Sequence, residues 1–139
     1  TRDLNGPWTV DDEPLAPGNE QIENSSVYYE PSNGYYFLFT NHVGVGADPD
    51  EGGRIVDYTD GVWMYWSKDP NDWNPENKAI VLDGDNCTWA ERNIGMPAVI
   101  PHEGRLAILY DAVEGDRINH MRRDIGLAWL DLPLQPPAP

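Results

Sequence analysis

The chain is a succession of short β-prone runs separated by turn signals. Ser25-Ser26-Val27-Tyr28-Tyr29 is closed by Pro31-Ser32-Asn33-Gly34 and followed at once by Tyr35-Tyr36-Phe37-Leu38-Phe39-Thr40, which is the pattern of a hairpin. An acidic, glycine-rich stretch from Asn41 to Asp60 reads as a long loop. Strand character resumes at Val62-Trp63-Met64-Tyr65-Trp66. After the turn-rich Lys68 to Pro75, Lys78-Ala79-Ile80-Val81-Leu82 supplies a fourth and outermost strand. The first half therefore predicts a four-stranded antiparallel unit.

The second half repeats this order. Ile94-Gly95-Met96-Pro97-Ala98-Val99-Ile100 lies over Ile22 to Tyr28 at an offset of 72. Gly104-Arg105-Leu106-Ala107-Ile108-Leu109-Tyr110-Asp111 lies over Gly34 to Asn41 at 70, and Gly126-Leu127-Ala128-Trp129 over Gly61 to Met64 at 65. The drift is absorbed in loops. Two copies of such a unit predict an all-β chain of two β-propeller-type blades, each a four-stranded antiparallel sheet that needs neighbours on both faces. An antiparallel sandwich of the same strands is the alternative. The reading is a single domain over residues 1–139, with blade one at about 22–82 and blade two at about 94–132.

The ends of the repeat differ. The second copy runs into Pro133-Leu134-Gln135-Pro136-Pro137-Ala138-Pro139, which cannot make a ladder strand, so that blade lacks its outer strand. Gly6-Pro7-Trp8-Thr9-Val10 is a spare segment of the kind an outer strand uses, and residues 6–10 are a candidate for closing blade two, within one chain or between two. Faces rich in Trp and Tyr are left unburied by two blades, which favours a homo-oligomer.

Composition narrows the partners. Thirteen Gly and thirteen Pro are too many for a helical bundle, whereas six Trp and seven Tyr give a large aromatic payload. Trp8, Trp63, Trp66, Trp89 and Trp129 are expected mostly in blade cores. Twenty-four acidic side chains against nine basic ones leave a formal charge of -15. Such a chain repels phosphate backbones and anionic lipid, so neither nucleic acid nor a membrane is an expected partner. No run reaches the length of a spanning helix, no signal peptide is visible, and the single Cys87 leaves the compartment undecided.

Gly6-Pro7-Trp8-Thr9, Ile22-Glu23-Asn24-Ser25-Ser26-Val27-Tyr28, Gly34 to Phe39 and Gly104 to Asp111 together resemble the five-bladed β-propeller glycoside hydrolases, the group around families 43, 32 and 117. In that group a "GPW"-like segment closes one blade, and an "IEGP.(V/L)Y…NGYYYLFYS"-like motif opens the next with the general-acid Glu at its start. The resemblance implies carbohydrate as partner and Glu23 as the acid. The group's base and its pKa-tuning Asp come from preceding blades, which nothing here matches. The chain resembles the C-terminal two-blade portion, as a fragment or as a short relative that reassembles from several copies.

Blade geometry brings Glu23, the stretch Asn41 to Asp60 and the stretch Asp111 to Asp124 to one side. Candidate sugar-binding residues there are Asn24, Asn41, His42, Asp111, His120, Arg122, Arg123 and Asp124. Glu23 sits at the strand start, where partial burial raises a carboxyl toward general-acid duty; the competing reading is a solvated Glu on the polar approach Gly18 to Asn24. The arginines either grip a sugar carboxylate or hydroxyl pair, or neutralise nearby acids. Asp111, Asp124 and Asp60 are geometrically allowed partners for Glu23, but none of them matches the base of the group that the chain resembles. Asp48-Pro49-Asp50-Glu51-Gly52-Gly53 has a faint calcium-loop character without the full spacing, and no other cofactor is indicated. Two functions follow: a glycosidase, or the acid-bearing part of one, and a non-catalytic carbohydrate-binding or assembly module.

Overall fold

A computed structural model describes residues 2–16 and 20–138. Gly18 and Asn19 of the expected polar approach, and the last proline of the tail, lie outside the described residues. The predicted runs are strands β1 (Ile22–Glu30), β2 (Tyr35–Asp48), β3 (Arg54–Ser67), β4 (Lys78–Leu82), β5 (Ile94–His102), β6 (Arg105–Ala112) and β7 (Asp124–Asp131). Antiparallel ladders join β1 to β2, β2 to β3 and β3 to β4, and likewise β5 to β6 and β6 to β7. A parallel bridge from Asp60 to Ile94 links the two units. Among the described residues no helix is long and apolar enough to cross a membrane.

The first unit has the four strands expected and the second has three. Among the described residues β7 pairs with β6 alone, because the chain beyond it is spaced by prolines that carry no N–H. Residues 6–10 form no strand in the single chain, and Trp8 and Val10 stand exposed.

The stretch Asn41 to Asp60 is not the loop that its acid and glycine content suggested. β2 and β3 continue as a long hairpin to a single turn of 3-10 helix at Pro49–Glu51. Its glycines serve packing: a Cβ on Gly44 would lie 2.8 Å from Tyr58 Cζ, and one on Gly46 would lie 3.3 Å from Ile118 Cδ1. The side chain of Tyr58 fills the space that a larger residue would need, and the hairpin thereby rests on the buried Ile118 of the second unit.

Alternation along β2 decides what each face packs against. Phe37 and Phe39, with Val62 and Met64 from β3, face the second unit and meet Ile94, Leu106, Ile108, Tyr110 and Ala112 in one core. Leu38 turns the other way and packs with Tyr65 and Trp73. Each large side chain sealed in this way contributes about 1.5–3 kcal/mol of apolar burial. The tryptophans divide differently from expectation. Trp66 and Trp89 flank the seam core and Trp63 the smaller one, but Trp8 and Trp129 are exposed, Trp129 because no sheet of the described chain lies over its face of β7, and the most buried tryptophan is Trp73.

The tail after β7 closes the seam without a ladder. Leu134 is buried in the core, its N–H donates to Glu30 Oε2 at 3.1 Å, and its carbonyl accepts from Asn33 Nδ2 at 2.7 Å. Glu30 also accepts from Ser32 N–H, Ser32 Oγ and Tyr28 Oη. Burial pushes the Glu30 carboxyl up, yet these hydrogen bonds outweigh it and hold the group below its usual value.

Candidate functional site

Both units carry the same irregularity at the same repeat position. The β1 to β2 register shifts between Glu23 and Ser26, and the β5 to β6 register between Gly95 and Ala98. Asn24 (φ 55°) and Met96 (φ 51°) adopt the left-handed conformation there. A bulge of this kind re-aims the adjacent side chain, and bulges concentrate beside functional sites.

In the first unit the bulge presents Glu23. Its backbone carbonyl accepts from Thr40 Oγ1 at 2.7 Å, and its carboxylate Oε1 accepts from Asn41 Nδ2 at 3.4 Å. The residue is exposed, because no part of the described chain packs over the start of β1; the partial burial anticipated for it is absent in the single chain. Asn41 is fully buried. Its Oδ1 accepts from the backbone N–H of Met96 at 3.0 Å and from Asn24 Nδ2 at 3.5 Å. At the position equivalent to Glu23 the second unit has Gly95, where a Cβ would lie 2.8 Å from Thr59 Cβ and 3.0 Å from Asn41 Cβ.

Arg123 occupies the second unit's side of the same face. It donates to Asp111 Oδ1 at 2.6 Å, to Thr59 Oγ1 at 3.1 Å, and to Asn93 Oδ1 at 2.8 Å. Asp111, Thr59 and Asn93 are buried, and the Arg123 side chain is nearly so, with its Nε lacking a hydrogen-bond partner among the described residues. Thr59 and Asn93 carried no signal in the sequence, since one is an ordinary strand residue and the other a loop residue. His120 stays exposed: Nε2 donates to the Asp57 carbonyl at 2.5 Å, which leaves Nδ1 as acceptor from Arg123 at 3.4 Å. Arg122, in the left-handed region at φ 69°, lines a cleft of about 440 Å³ with Asp50, Val113, Arg117, Asn119 and Met121. Asp124 is exposed at the start of β7.

His42 does not join this cluster. It turns to the opposite face of β2, where its ring stacks on Trp63 at 4.3 Å between centroids. Tyr65 Oη donates to Glu20 Oε2, so His42 Nε2 donates to Tyr65 Oη at 2.7 Å, and Lys78 Nζ reaches Glu20 Oε2 at 2.9 Å. The hydrogen bonds from Tyr65 and Lys78 hold Glu20 below the usual carboxylate range. Burial pushes Tyr65 up and His42 down. Glu20, Tyr65 and Lys78 were not legible beforehand as a group, because three separate segments bring them together.

The acidic hairpin tip uses its carboxylates locally. Asp48 Oδ1 accepts from Asp50 N–H at 2.8 Å, Glu51 pairs with Arg54 at 3.1 Å, and Asp50 lies 3.7 Å from Arg117. Among the described residues, no three His, Cys, Asp or Glu side chains are grouped so as to hold a metal ion.

The fold is that of known sugar-cleaving enzymes. The chain superposes on the GH43_1 enzyme from Xanthomonas citri complexed with xylose with a TM-score of 0.58 at 19% identity, covering 89% of this chain and 33% of that one. RS223-Beta-xylosidase aligns with the same TM-score at 15% identity, covering 85% of this chain and 35% of that one. The chain thus spans about a third of the length of these structures. No protein-family model and no curated protein matches it. The likeness establishes an all-β, glycosidase-like propeller fold.

Proposed function

We propose that the chain is a single domain of two blades, residues 22–82 and 94–132, that acts on a carbohydrate as a glycoside-hydrolase-like protein with Glu23 as general acid. The observation that carries this reading is the placement of Glu23: an accessible carboxyl re-aimed by a bulge at the start of β1, beside the corresponding bulge of β5. There the protonated carboxyl transfers its proton to the glycosidic oxygen as the bond to the anomeric carbon breaks, and a second carboxylate serves the opposite side of the sugar. Asp111 is held by Arg123, which leaves the exposed Asp60 and Asp124 as the carboxylates free to serve. Asn24, His120 and Arg122 stand accessible for sugar hydroxyls. A panel of aryl-glycosides and oligosaccharides tests the reading: turnover abolished by Glu23→Gln supports it, and absence of turnover by the full chain overturns it.

A second reading is a carbohydrate-binding or assembly module without turnover. It is favoured by the neutralisation of Asp111, the buried carboxylate of this face, by Arg123. Glycan binding without hydrolysis in the same panel selects it.

Under either reading the chain associates with a second copy of itself. Ile125, Leu127 and Trp129 on β7 are exposed, as are Met96 and Ile100 on β5, and among the described residues the outer edge of β7 has no partner. The exposed segment 6–10 of a second copy supplies the missing strand. Light scattering on the full chain and on a chain beginning at Pro14 tests this. A monomer in the first case, or an unchanged oligomer in the second, removes strand closure.

A further inference from the structure

The contacts of Asn41 suit a task other than touching a ligand. Its 0% exposure keeps the side chain from any sugar, although it lies next to the exposed Glu23. Two donors, the Met96 N–H and Asn24 Nδ2, converge on its Oδ1. That fixes the amide orientation, and its Nδ2 is thereby directed at the Glu23 carboxylate. The firmest of these bonds runs to the bulge of the other unit, so the amide is anchored in the seam rather than on its own hairpin. The repeat sharpens the point. The equivalent of Asn41 in the second unit is Asp111, which faces no glutamate, since Gly95 stands in place of Glu23, and which holds a guanidinium instead. An amide stands where a carboxylate must be received, and a carboxylate where a cation must be held; an Asp at position 41 would repel Glu23.

Resting on the reading of Glu23 as the acid, we infer that Asn41 is a positioning residue: from the buried seam it presents an N–H to the Glu23 carboxylate and ties the orientation of that group to the docking of the two units. The Asn41 amide then senses the charge on Glu23. It also ceases to do so when the donor is lost, even if the fold survives.

Nuclear magnetic resonance on the full chain reads this directly. The Asn41 side-chain NH2 resonances are expected to move as the pH is lowered from about 7 to about 3. The movement is expected to vanish in Glu23→Gln and to persist in Asp57→Asn. Resonances that stay still in the wild type, or that move equally in Glu23→Gln, overturn the inference. Asn41→Asp is the companion variant, because it keeps an oxygen for the Met96 N–H while removing the donor. Where the chain turns over a glycoside, this variant is expected to lower kcat by about 10-fold or more with KM little changed. A variant with wild-type kcat, or one that raises KM alone, overturns the inference. If the wild type turns over nothing, the general-acid reading of Glu23 falls separately, and the amide response still decides whether Asn41 holds that carboxylate.

Discussion

Phe39 and Leu109 stand seventy residues apart at the same position of two repeated strands, yet Phe39 is 0% exposed and Leu109 is 36% exposed. Val62 and Leu127 form a second such pair, at 0% and 55%. The first member of each pair lies in the seam between the units, and the second lies on the open face of the three-stranded unit. One strand pattern therefore produces either a core or a surface, depending on whether another sheet lies against it. The same contrast runs through the polar groups: Asn41 directs a donor to an exposed glutamate, whereas Asp111 is locked to a buried arginine.

The largest expected effect exploits the apolar pairs. Phe39→Ala should cost about 3–5 kcal/mol through lost burial and a residual cavity, whereas Leu109→Ala should cost less than about 1 kcal/mol. Denaturant unfolding measures both, and equal losses would mean that the open face is covered in solution. Next comes the buried pair. Arg123→Met leaves Asp111 buried without its partner and should cost about 3 kcal/mol, against at most about 0.5 kcal/mol for Asp50→Asn at the exposed pair with Arg117.

The hairpin ends give a third contrast. Glu30→Ala removes the acceptor for Leu134, Ser32 and Tyr28 and should lower stability by about 2 kcal/mol. His102, at the equivalent repeat position, is exposed, and His102→Ala should change stability by less than about 0.5 kcal/mol.

Acid should weaken the four-stranded unit in two steps. His42 is depressed below 6.5, so the unfolded chain takes up that proton more readily; stability is complete above 6.5 and declines as pH falls toward the folded value. Glu20 and Glu30 are depressed below 4.5, so their contribution is complete above 4.5 and is lost as pH falls through their lowered values. Thermal midpoints across this range should show His42→Gln flattening the upper step and Glu30→Gln the lower. The smallest effect is general: with a formal charge of -15, moderate sodium chloride should raise the midpoint slightly by screening self-repulsion, and a falling midpoint would contradict it.

The positions of the strands were legible because alternation and turn residues are local. Pro31 to Gly34 marked a hairpin whose strands are β1 and β2, and Lys78 to Leu82 matched β4. The stretch Asn41 to Asp60 was misread because acid and glycine content signals a loop; the small residues Gly44 and Gly46 instead admit the ring of Tyr58 across the hairpin. The candidate site was legible only in part. Glu23 stood out, but the division of Asn41 and His42 between two faces follows from pleating, and the roles of Thr59 and Asn93 from distant segments that meet.

What the sequence by itself determined is the repeat, the strand order, the acidic charge and the prolines that leave the outer edge of β7 unpaired among the described residues, all of which follow from residue identity and spacing along one chain. The tertiary structure alone decided which copy of the repeat is sealed, that Leu134 closes the seam through Glu30, and that Asn41 is anchored to Met96 across it. Burial and hydrogen-bond partnership are properties of pairs of surfaces, and a one-dimensional pattern specifies each surface without specifying what lies against it.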